Sequence, residues 1–139
     1  MGDGDSATLR KGDGTTLDCR IDRIDAAEVG HPKYGKAGQP YGEEATKTLQ
    51  QLIENKEVTV RVTQPPLGKN YGRALCQIEV EGKDVSTEMI RAGAAWLYRR
   101  YSNDAGLSKL EAEAKAARRG LWESLNPEYP ESFKRRMGY

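Results

Sequence analysis

The segment CRIDRIDAAE, residues 19–28, sets Arg20, Asp22, Arg23, Asp25 and Glu28 around isoleucines at 21 and 24. A charged strand end with carboxylates spaced D-x-x-E has two readings. It is a solvated face running into a turn, or it is one wall of a site for a cation and a phosphate. The second reading has definite chemical content. Phosphodiester cleavage needs a cation to neutralise the phosphate and orient water, and a carboxylate beside that water. It also needs guanidinium forks, which match phosphate oxygens and gain strength as charge builds. Asp25 and Glu28 supply carboxylates and Arg20 one fork; a second arginine and a further acid are expected elsewhere. Charged stretches of this kind are usually solvated, so the segment alone does not decide.

Bulk properties narrow the field. A chain of 139 residues is one domain by size, 1–139, and long enough to bury a core unaided. With 37% hydrophobic and 31% charged residues the composition is globular. No apolar run is long enough to span a membrane, and no membrane partner is expected. A net charge of +1 means that a nucleic acid would have to be held by a local basic field. Basic clusters at Arg99-Arg100, Arg118-Arg119 and Lys134-Arg135-Arg136 each read first as solvated surface. Two cysteines and a single histidine are too few for a Cys/His zinc site. A bound metal would rest on oxygen ligands and be calcium or magnesium. His31 sits in a Gly/Pro loop and is given no role. No apolar h-region follows Met1, so the chain reads as intracellular or as a mature piece.

The elements that must position these residues follow from periodicity. Residues 7–24 read as a hairpin about Lys11-Gly12-Asp13-Gly14, with Leu17, Cys19 and Ile21 on one face and Asp18, Arg20 and Asp22 on the other. Residues 29–41 hold five Gly or Pro and read as a loop. EEATKTLQQLIEN, 43–55, is a helix with Ala45, Leu49, Leu52 and Ile53 facing a core. EVTVRVT, 57–63, and RALCQIEV, 73–80, are strands around a loop at 64–72. STEMIRAG, 86–93, and GLSKLEAEAKAARRG, 106–120, are helices capped by Gly93 and Gly120. The segment 121–139, with Pro127 and Pro130, reads as an irregular tail. The fold class is α+β: four visible strands suited to an OB-type barrel, with three α-helices.

With the order on the page, DGDS, RIDRIDAAE, YGEEA, NYGR, GAAW, YRRY and AKAARRGLW fall in one register from residue 3 to residue 122. In that register the chain resembles the staphylococcal nuclease (thermonuclease) family. The resemblance implies a calcium-dependent nuclease with little base specificity, cleaving DNA and RNA, single-stranded before duplex, and leaving 3′-phosphate ends. It implies calcium on Asp5 and Asp25 with the main-chain carbonyl of Ala26, a water-directing Glu28, and Arg20 and Arg73 on the phosphate. Tyr101 matches a nucleotide-pocket tyrosine; Tyr98 lies nearby, and Arg99 stands where the family has its second one. Asn70 stands where the best-known member has a lysine near a terminal phosphate.

Departures from the pattern set further expectations. Ala27 replaces a proline in the D-x-x-E turn, which loosens Glu28. Only Met1-Gly2 precede DGDS, where the family has its first barrel strand. The expectation is a barrel lacking that strand, with an open edge available for self-association. If both arginines face one phosphate, their strands are neighbours, and Cys19 and Cys76 come within disulfide range; two buried thiols are the other reading. Relatives are commonly secreted, so the parent protein is expected outside the cytoplasm or in the periplasm. Some relatives keep the barrel and bind RNA or protein without cleaving, usually after losing the acids or arginines. That non-catalytic module is the competing reading, and all five charged positions persist here.

Overall fold

Strand β1 (Ser6–Arg10) and strand β2 (Thr16–Ile21) form an antiparallel hairpin in which Ala7 faces Cys19 and Leu9 faces Leu17. The alternation in β2 puts Cys19 and Ile21 into the core and leaves Arg20 half-buried at the surface. This computed structural model describes residues 3–66 and 72–139. Asp22 departs from the alternation and is buried. It accepts from Gln77 at 3.2 Å and pairs with Arg23, while its carbonyl accepts from the Ser86 hydroxyl at 2.8 Å. Arg23 sits in the left-handed region with φ 67° and ties the turn to Asp84 at 2.8 Å. These bonds reverse the chain into the two-residue strand β3 (Ile24–Asp25).

The sheet runs β1-β2-β5-β4, with β5 (Ala74–Val80) parallel to β2 and antiparallel to β4 (Thr59–Gln64). Strand β6 (Lys83–Asp84) returns on β5. Strand β7 (Trp96–Leu97) pairs with β3 in a separate two-stranded sheet. Strands β1 and β4 are the edges of the main sheet, and β4 is largely exposed.

Helix α1 (Gly42–Ile53) turns Ala45 and Leu49 inward as its spacing requires. Helix α2 (Val85–Arg91) starts at an Asp84 cap that accepts from the Thr87 amide at 3.0 Å. It buries Val85, Met89 and Ile90 against β5 and α3 (Ala105–Ala116). Helix α3 ends at Ala116, short of the expected Gly120, which instead opens a 3₁₀ turn, Gly120–Glu123.

The expected irregular tail is wrong: residues Pro130–Met137 form helix α4, so the chain has four α-helices where three were expected. Its two punctuating residues sit where a helix tolerates them. Pro130 is in the first turn, where its missing N–H costs nothing, and Gly138 closes the C-terminus at φ 79°. Phe133 and Tyr129 are buried, and Tyr129 meets Trp96 edge-on at 6.1 Å. The result is an α+β fold, consistent with the OB-like domain implied by the motif register.

Candidate active site

The D-x-x-E turn is held by carboxylates from the segment preceding β1. Asp5 Oδ2 accepts from the Ala26 amide at 3.0 Å, and Asp3 Oδ1 accepts from the Val29 amide at 2.7 Å. Gly4 between them fits because a Cβ would meet the Ala45 backbone and Cβ at 2.9 Å. The Glu28 backbone is clamped from the other side by Gln39. Its amide donates to Gln39 Oε1 at 3.0 Å and its carbonyl accepts from the Gln39 amide at 2.8 Å. The loosening expected from Ala27 is therefore offset, and Ala26 and Ala27 are fully buried.

Arg20 occupies the centre. Its Nη1 donates to the Ile21 carbonyl at 2.6 Å and the Ile24 carbonyl at 2.8 Å. Its Nη2 lies 3.6 Å from Asp5 and 3.7 Å from Asp25. Both carboxylates are nearly buried. Burial first, and then the Asp5 charge, push the Asp25 carboxyl up to about 7, with Arg20 opposing. Glu28 is pushed up to about 8, by burial and then by the Asp3 carboxylate, with Lys134 opposing. Glu28 Oε2 is buried without a hydrogen-bond partner among the described residues, while Oε1 lies 3.3 Å from Lys134 Nζ.

Arg73 immediately precedes β5, beside Arg20 on β2. Its Nη1 donates to the Ser6 hydroxyl at 3.1 Å, and Ser6 in turn donates to Asp5 Oδ1 at 3.2 Å. Arg20, Arg73, Tyr98, Arg100, Tyr101 and Gln64 line one cleft of about 280 Å³. The Tyr98 and Tyr101 rings are 6.3 Å apart. Glu28 lines a different cleft, formed with the loop that follows it and the first turn of α1. Arg99 turns away and stacks on the Tyr129 ring, 4.0 Å from its centroid. Asn70 lies outside the described residues. Cys19 and Cys76 form a disulfide between β2 and β5, with Cα atoms 5.7 Å apart.

Strand pairing thus gathers Asp5, Arg20, Asp25 and Glu28 around the β2–β3 turn, links Arg73 to them through Ser6, and opens the cleft toward the tyrosines. Comparison with known proteins settles the kinship. The sequence profile described as staphylococcal nuclease homologue matches residues 18–124. The chain belongs to the staphylococcal nuclease family.

Among similar relatives of this nuclease-family chain is an uncharacterized endonuclease of Escherichia coli O157:H7, 38% identical over 99 residues, 70% of this chain and 63% of that protein. An uncharacterized endonuclease of Haemophilus influenzae is 30% identical over 136 residues, covering 97% of this chain and 70% of the other. The staphylococcal-like nuclease CAN1 of Arabidopsis thaliana is 40% identical over 96 residues, 69% of this chain but 29% of that longer protein. The match spans less than two thirds of the E. coli and Arabidopsis proteins.

A cation fits the acid cluster by charge. Fully ionised, Asp3, Asp5, Asp25 and Glu28 would set four negative charges against the two positive charges of Arg20 and Lys134, and burial with the neighbouring acids holds Asp25 and Glu28 up for that reason. Among the described residues no three His, Cys, Asp or Glu side chains converge as a closed metal cage. The cation would therefore rest on two carboxylates, main-chain oxygen and water, a ligand set that suits a hard divalent ion.

Three participants escaped the sequence reading. Asp3 stands in the DGDS motif without a role assigned there, yet it holds the turn. Ser6 closes the same motif, and only the structure shows that it bridges Arg73 and Asp5. Lys134 lay in a basic run that read as solvated tail, and only the helix shows that it faces Glu28.

Proposed function

We propose that this chain is a calcium-dependent phosphodiesterase that cleaves DNA and RNA with little base specificity and leaves 3′-phosphate ends. The observation that carries the reading is the shared cleft of Arg20, Arg73, Tyr98 and Tyr101 set against the buried Asp5–Asp25 pair. In this reading Asp5, Asp25 and the Ala26 carbonyl hold calcium, which as a Lewis acid would offset phosphate charge. The Arg20 and Arg73 guanidiniums grip the phosphate oxygens and gain as charge develops on them. Glu28 accepts a hydrogen bond from the attacking water and aims it at phosphorus. Tyr98 and Tyr101 face the nucleotide; open strands, whose bases can splay, enter this cleft more readily than a duplex. The Cys19–Cys76 bridge supports an oxidising compartment, secreted or periplasmic. The edges of β1 and β4, which pair with no further strand among the described residues, support self-association by strand pairing.

Digestion of denatured DNA with calcium and with a chelator, for the wild type and Glu28→Gln, tests the reading. Calcium-dependent cleavage that falls by about a hundredfold or more in the variant is expected. DNA binding without cleavage in either protein would replace it with the non-catalytic module.

A further inference from the structure

Helix α4 is fastened to the site at both ends. Phe133 and Tyr129 are buried, and Tyr129 Oη accepts from the Arg99 amide at 3.2 Å. Gln39, the residue that clamps Glu28, also donates to the Glu128 carbonyl. At the far end Tyr139 Oη donates to the Ala37 carbonyl at 3.2 Å. Arg136 pairs with Glu128 at 2.9 Å across the helix start. The helix therefore holds a fixed place over the loop that leads from Glu28 to α1.

Its one lysine, Lys134, is the residue it directs at the acid cluster. Exposed lysine–carboxylate pairs are worth little, but this carboxylate is 15% exposed and its other oxygen lacks a partner among the described residues. Burial works against the ammonium charge of Lys134, yet Glu28, Asp25 and Asp5 outweigh it and hold the group above the ordinary lysine range. Arg20 cannot fill this place, since it reaches Asp5 and Asp25 from the β2 side.

We propose that Lys134 is a positioning residue of this site: its ammonium fixes the Glu28 carboxylate and acts as a resident counter-charge that a bound divalent cation must work against. The inference rests on the nuclease reading above. Removing Lys134 should move two quantities in opposite directions. Calcium would bind more tightly, because one positive charge facing Asp25 and Asp5 is gone. Turnover would fall, because the Glu28 carboxylate loses its only direct cation among the described residues. A lysine that merely stabilised α4 would, on removal, leave calcium affinity unchanged or weaken it.

The experiment uses the full chain as wild type, Lys134→Met, Lys134→Gln and Lys134→Arg, each checked by thermal unfolding. Calcium is titrated calorimetrically without nucleic acid, and kcat and KM are measured on denatured DNA. The expected Kd for calcium falls about 3- to 10-fold in the two neutral variants. Their kcat falls about tenfold with a smaller change in KM, and Lys134→Arg retains most of both values. The Gln variant keeps the test alive if Met disturbs the fold. An active wild type with neutral variants of equal kcat, or of equal or weaker calcium affinity, overturns the inference alone. A wild type that neither binds calcium nor cleaves overturns the nuclease reading and this inference with it.

Discussion

Reducing the Cys19–Cys76 bridge should cost the protein much of its stability and some of its activity. The bridge closes a loop with a sequence separation of 57. Constraining a loop of that length in the unfolded chain stabilises by about 4 kcal/mol on the chain-entropy account, with measured effects mostly about 2–5 kcal/mol. For a chain of 139 residues that corresponds to a Tm lowered by about 12 °C. Reduction is a cleaner perturbation than Cys→Ala: both cysteines are fully buried, and truncation would add a cavity cost. The assay is urea unfolding of oxidised protein against protein reduced in denaturant and refolded with reductant present. Cys19 adjoins Arg20, and Cys76 lies three residues after Arg73, so reduced protein should also lose severalfold in kcat/KM well below its Tm. Two titratable thiols in air-exposed native protein, or coincident unfolding midpoints, would refute the reasoning.

Two further outcomes follow from the geometry of the turn. A Cβ on Gly42 would lie 2.4 Å from the Glu28 carbonyl oxygen, so Gly42→Ala should destabilise by about 1–3 kcal/mol despite alanine's helix preference and cut turnover by tenfold or more; equal stability with full activity would sink the argument. In chelator, Asp25 near 7 and Glu28 near 8 bind protons more tightly folded than unfolded, so their contribution is favourable at low pH and is lost as pH rises from about 4.5 to 8. Urea unfolding at pH 5.5, 7 and 8.5 should show that loss in wild type and not in Asp25→Asn/Glu28→Gln, and equal slopes in the two would count against it.

The parts legible in the sequence are those with a full period to read. Leu17, Cys19 and Ile21 declare β2, and Ala45 and Leu49 declare α1, because each element repeats its pattern before it ends. Strands β3 and β7 are two residues each and have no period. Asp22 breaks the alternation because its burial is set by Gln77, Arg23 and Ser86, which are distant or contrary in pattern. Helix α4 was hidden by Pro127 and Pro130, which read as irregularity until the place of Pro130 in the helix's first turn is known. The charged site residues were legible as types, through the D-x-x-E spacing and the family register. Their company was not: nothing local in KRR tells which of the three basic side chains turns toward Glu28.

Arg20 shows why this site cannot use a lysine in its place. One guanidinium nitrogen is spent on the fold, donating to the Ile21 and Ile24 carbonyls that flank the β2–β3 turn. Those carbonyls belong to the reversal that delivers Asp25, so the bond fixes the arginine to the backbone that carries its acidic neighbour. The other terminal nitrogen stands 3.6 and 3.7 Å from two carboxylates, longer than a charge-assisted hydrogen bond of about 2.7–2.9 Å. Its bonding capacity is thus only loosely engaged, and a phosphate oxygen entering the cleft can take it without breaking the turn. A point-charge ammonium has no rigid fork to divide in this way. The division also explains the surplus of acid around Arg20. In the proposed function, two carboxylates at loose distance would hold the free edge of the guanidinium in place until a phosphate arrives, and a divalent cation would then satisfy their charge.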